Sequence, residues 1–129
     1  MHADAHRCND VTSSLRVLVH GGQHGQHAWP GFLEKVYENA LAHELRSAGL
    51  AVERQKGLKV YYRDIVVGEY AADLLVEGLV VVELKPLRAF DNLHLAQCLN
   101  RLKAAGLKLS LLINCGTRKV QIKRVVNSF

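Results

Sequence analysis

The chain has 129 residues, of which 49% are hydrophobic and 22% charged, the composition of one soluble globular domain with a single core. No stretch approaches the roughly 18 consecutive apolar residues of a membrane span, and the start lacks the basic-then-apolar order of a secretory signal. The net charge of +5 is uneven, with eight Lys/Arg against eleven Asp/Glu in residues 1–84 and nine against Asp91 alone in residues 85–129. A basic half of this kind suits a polyanion, and equally an ordinary solvated basic face.

Residues 1–29 hold five of the seven histidines and a Gly/Gln/His stretch, GGQHGQHAWPG, begins within them. They have no sustained helical or strand period and read as a poorly ordered or loosely docked lead to a domain over 30–129. His20, His24 and His27 match no standard zinc spacing, so metal binding there is the lesser reading. Trp29-Pro30 reads as an anchor at the entry to the first helix.

From Gly31 the pattern sharpens. In GFLEKVYENALAHELRSAGL, Leu33, Val36, Tyr37, Ala40, Leu41, Leu45 and Ala48 follow a helical spacing, and Gly49 stands where a helix stops. The next segment, LAVERQKGLKVYYRDIVVGEYAADLLVEGLVVVELK, is rich in Val, Tyr, Ile and Leu. Broken at Gly57, Arg63-Asp64 and Glu77-Gly78, it reads as three strands in a meander. Residues 91–106 return to a helical period between Asp91 as N-cap and Gly106 as C-cap. LKLSLLIN (107–114) and RKVQIKRVV (118–126) finish as strands. A three-stranded meander, a crossover helix and two further strands make an α/β fold with a mixed sheet flanked by helices.

The chemistry concentrates in VVVELKPL (80–87). Side chains two apart on a strand share a face about 7 Å apart, so Glu83 and Lys85 sit together at the end of a run of valines. Pro86 lacks an N–H and ends the strand just after them. If the two strands pair around Glu77-Gly78-Leu79, Asp73 comes beside Glu83. Two carboxylates about 4 Å apart repel by on the order of 4 kcal/mol at an effective dielectric of about 20. Lys85 offsets part of this. A hard divalent cation offsets more, with Mg²⁺ the natural choice and Mn²⁺ next. Such a cation with an adjacent lysine is the apparatus of phosphodiester hydrolysis. The same spacing also describes a salt bridge at a strand end. Glu34 and Glu38 share a helix face, and Gln97 lies on the crossover helix within reach of metal-bound water or a phosphate.

These segments resemble a known family. Gly31-Phe32-Leu33-Glu34-Lys35-Val36-Tyr37 is similar to the signature of the GxxExxY proteins, which are placed in the PD-(D/E)xK nuclease superfamily. The resemblance runs from about Pro30 to Val126 and takes in GEYAADLLVE, VVVELK, HLAQCLNRLKAAGLKLSLLIN and KVQIKRVV. It implies a restriction-endonuclease-like core in which Asp73, Glu83 and Lys85 match the superfamily motif. Glu34 looks like the first-helix acid, with Glu38 as the alternative, and Gln97 looks like the glutamine of the following helix. The implied activity is Mg²⁺-dependent hydrolysis of DNA, less often RNA, with Asp73, Glu83 and Glu34 on the metal. The chain departs from the pattern at Ala72, commonly proline, and at Arg101, where an aromatic is usual. It departs further upstream, where HGQHAWPGF stands in place of the family's VH-x-x-LG-x-GF stretch and residues 1–29 do not resemble the amphipathic helix that usually leads into it.

The expectation is therefore a metal-dependent nuclease acting on nucleic acid. The alternative is a non-catalytic nucleic-acid-binding or protein-interaction module on the same fold. The altered lead points to a partner or a second copy. Cys8, Cys98 and Cys115 are widely spaced with no C-x-x-C pair, which argues against disulfides or zinc and for a cytoplasmic setting.

Overall fold

The structure, a computed structural model, describes residues 11–13, 15, 33–115 and 120–127. The elements are α1 (Leu33–Ser47), β1 (Val52–Tyr62), β2 (Ile65–Val76), β3 (Val80–Lys85), α2 (Asn92–Ala105), β4 (Leu109–Asn114) and β5 (Gln121–Val126). The five strands form one sheet in sequence order. All neighbours are antiparallel except β3 and β4, which run parallel with α2 as their crossover. The expected architecture holds. Among the described residues no helix is long and apolar enough to cross a membrane.

Local chemistry explains the boundaries. The β2–β3 turn has Leu79 N–H donating to Val76 O at 3.0 Å, with Glu77 and Gly78 both at positive φ (57° and 66°), as a type I′ turn requires. Asp91 caps α2 by accepting from His94 N–H at 2.8 Å, and Gly106 closes it in the left-handed region at φ 70°. The strand break expected at Gly57 does not occur: β1 runs through it, opposite Ala71, because pairing with β2 continues on both sides.

β3 and β4 lie at the centre and are covered on both faces, so they read as continuous apolar runs rather than alternating ones. One core layer joins Tyr37, Leu41, Ala42 and Leu45 of α1 to Leu74, Val76, Val80, Val82, Leu84, Leu111 and Ile113. The other joins Cys98 and Leu102 of α2 to Ala72, Leu75, Val81, Leu112 and Val125. Fully burying a leucine in such a layer stabilises by about 2 kcal/mol. Tyr37 is core, as its helix position predicts, and Cys98 and Cys115 are buried free thiols.

The lead segment differs from expectation where it is described. Residues 11–13 and 15 are helical, and Val11 and Leu15, 1% and 0% exposed, belong to the α1-side core. Both are apolar positions four apart, so one helical face supplies them. His20, His24, His27, Trp29-Pro30 and Cys8 lie outside the described residues, as do 116–119, which include the first two residues of the expected final strand.

Candidate functional site

The site forms where β2 and β3 part. Their pairing runs Val76↔Val80, Leu75↔Val81, Leu74↔Val82 and ends there. Asp73 and Glu83 are the next residues on the two strands. Asp73 Oδ2 accepts from the Leu84 N–H at 2.8 Å, so the carboxylate takes the place of a backbone acceptor that β2 no longer provides. Glu83 is 4% exposed, and its Oε1 is buried without a hydrogen-bond partner.

Burial is the largest influence on Glu83, and with the nearby Asp73 charge it pushes the carboxyl up to about 7. Lys85 and Arg101 pull it down and Glu34 adds to the rise. A buried acid with an orphaned oxygen is unusual unless something cationic completes it. Lys85 follows on the same face and is half-buried. Its carbonyl accepts from the Cys115 N–H at 3.0 Å, which keeps the end of β3 against the segment after β4.

α2 closes the other side. Glu83 and Lys85 line a pocket with His94, Gln97, Cys98, Arg101 and Leu112. His94, Gln97 and Arg101 are three and four apart on α2 and so project from one face. His94 Nδ1 lies 2.6 Å from Asp91 Oδ1, so the capping residue also holds the imidazole. The Arg101 guanidinium stands 5.2 Å over the Tyr70 ring. The Tyr70 hydroxyl is pushed up to about 12, by burial first and then by Glu83. Gln97 reaches this pocket as its position predicts. His94 and the placement of Arg101 are additions; the one sequence signal for His94 was its spacing of three from both Asp91 and Gln97.

The first-helix acids behave differently from one another. Glu34 is exposed in the first turn of α1, and its charge is felt at Glu83 and Cys115. Glu38 is 3% exposed and bound by Lys35 Nζ and Arg54 Nη2, each at 2.9 Å, and by Gln55 Nε2. Burial would raise its carboxyl, but these donors outweigh that and hold it below the ordinary range. Glu38 is therefore committed to protein partners. Nor does Glu34 complete the expected three-acid cage: among the described residues no three His, Cys, Asp or Glu side chains converge to hold a metal. The structure brings Asp73 and Glu83 together and leaves the Glu34 side chain exposed at the start of α1, with its charge still felt at Glu83.

A mixed sheet forked at two acids, with a helix on each face, defines a restriction-endonuclease-like α/β protein. The likeness to a solved structure agrees: an alkaline exonuclease (LHK-Exo) from Laribacter hongkongensis superposes with a TM-score of 0.52 at 12% identity. The match covers 73% of this chain and 56% of that one, so this chain spans little more than half of the exonuclease's length. The sequence profile of the PD-(D/E)XK nuclease superfamily matches residues 24–125, and the chain belongs to that superfamily. No curated protein sequence matches it.

Proposed function

We propose that this chain is a divalent-metal-dependent phosphodiesterase acting on DNA, of the GxxExxY type within its superfamily. The observation that carries the reading is the buried, unpartnered Glu83 Oε1 beside Asp73 and Lys85. Both acids offer hard oxygen donors, which fit Mg²⁺, with Mn²⁺ next. Asp73 and Glu83 would hold the cation. A two-carboxylate set suits a metal that keeps water and substrate phosphate as its other ligands. When bound, such an ion polarises a phosphoryl oxygen and lowers the pKa of water.

The chain's own groups do the rest. Lys85 offers a cation on the same face as Glu83, where negative charge builds on the phosphoryl oxygens. Arg101, stacked on Tyr70 at the pocket edge, is a fork for an incoming phosphate. Gln97 supplies an amide to orient water or substrate, and His94, its Nδ1–H held by Asp91, presents Nε2 as an acceptor. The basic C-terminal half adds sequence-independent phosphate contacts.

To test this, labelled single- and double-stranded DNA is incubated with the protein and Mg²⁺ or Mn²⁺. Cleavage is expected with either ion, falling by at least about a hundredfold in Asp73→Ala and Lys85→Ala, the scale of losing a group that stabilises transition-state charge. Cleavage undiminished in both variants defeats the assignment. The absence of a third converging acid among the described residues favours a second reading, a nucleic-acid-binding module. That module would bind DNA in a salt-sensitive way, unaffected by chelator and without cutting it.

A further inference from the structure

A second set of side chains, outside the pocket, ends on Asp73. In β1, Arg54 pairs with Leu74 and Lys56 with Ala72, which leaves Gln55 opposite Asp73 at a gap in the ladder. Gln55 has φ 49°, in the left-handed region that residues with a side chain seldom adopt. Among the described residues the other non-glycine residues at positive φ, Arg63, Asp64 and Glu77, belong to the two tight turns. Gln55 lies within a strand. No turn requires its conformation.

The twisted backbone sends the carboxamide to the fork. Gln55 Nε2 donates to Glu38 Oε1 and, at 3.3 Å, to Asp73 Oδ1. An amide nitrogen carries two hydrogens, so both donors are used. Glu38 accepts only, because Lys35 and Arg54 keep it ionised. The nitrogen, not the oxygen, of Gln55 must therefore face the acids. Asp73 is then held from two strands: Oδ1 by Gln55 on β1 and Oδ2 by the Leu84 N–H on β3.

We propose that Gln55, oriented by the ion-paired Glu38, is a positioning residue that sets the attitude of the Asp73 carboxylate toward Glu83. Glu38 acts through Gln55 and not as a ligand. That Asp73 then receives a divalent cation rests on the reading above; the positioning itself does not.

Two variants test it in the full chain. Gln55→Met keeps length and removes the donors, while Gln55→Gly removes the donors and also relieves the left-handed backbone. The first measurement is amide hydrogen exchange by NMR on the metal-free protein. Leu84 is expected to exchange on the order of tenfold faster in both variants, as for a weakened hydrogen bond, with Val82 unchanged as the reference on the same strand. Thermal stability of Gln55→Gly is expected to equal or exceed wild type, a result that a purely structural Gln55 would not give. The second measurement is Mn²⁺ titration by calorimetry, with affinity expected to fall about 10–100-fold in both variants, the usual effect of losing an outer-shell partner. Unchanged Leu84 protection in both variants overturns the positioning role. A wild type that takes up no Mn²⁺ while Leu84 still responds overturns the metal reading and leaves the positioning role standing.

Discussion

Replacing Glu83 with glutamine separates this side chain's charge from its shape. Its carboxyl is raised from an ordinary 4.5 to about 7, by burial first and by Asp73 second. The folded state thus binds the proton more tightly than the unfolded chain does. Stability from this group is full below about pH 4.5 and is lost as pH rises through about 7, a loss of about 3 kcal/mol for a shift of this size. Glutamine has no proton to lose, and the neighbouring Asp73 carboxylate is an acceptor for its amide. Glu83→Gln should therefore differ from wild type by less than about 1 kcal/mol at about pH 5 and be about 3 kcal/mol more stable at about pH 8. Urea denaturation of both proteins across that range, with chelator present, measures the difference while other titrating groups cancel. Mn²⁺ should narrow the gap at high pH by stabilising wild type alone. A gap that stays constant with pH refutes the claim that Glu83 is a buried acid lacking its cation.

The remaining expectations are simpler. Arg101 holds Glu83 down, so Arg101→Ala should move the midpoint of that stability loss to higher pH; an unmoved midpoint places the guanidinium too far away to matter. Leu15 is 0% exposed in the α1-side core, so Leu15→Ala should cost about 2–5 kcal/mol in chemical denaturation. A cost near zero shows that this part of the lead does not dock.

Much of the fold was legible along the chain because local rules and topology agreed. VVVELK announced a strand with its two charges on one face and at one end. Asp91 and Gly106 marked the limits of α2, and Arg63-Asp64 and Glu77-Gly78 the two hairpin turns. Asp73 followed from the hairpin register, since pairing around a short turn leaves little freedom. Where local signals misled, a longer-range term won. Gly57 resembled a break, but the β1–β2 ladder carried the strand through it. The lead lacked a period of its own, yet Val11 and Leu15 were drawn into the core that α1 and the sheet needed to complete.

The site divides along the same line. The sequence alone determined that an aspartate, a glutamate and a lysine would meet at a strand end, because strand period and hairpin pairing are properties of contiguous residues. Only the tertiary structure decided which of them is perturbed and what serves it. Glu34 and Glu38 share a helix face, and no local rule separates them. The separation comes from β1, whose Arg54 and Gln55 reach back across sixteen and seventeen positions to claim Glu38. The left-handed backbone at Gln55, inside a strand, bears no glycine to advertise it. Glu83 becomes an orphaned acid where α2, packed on the sheet, brings His94, Gln97 and Arg101 to the pocket at the end of β3. Solvation and long-range charge are set by segments that meet in space, and those meetings are absent from any window of the chain.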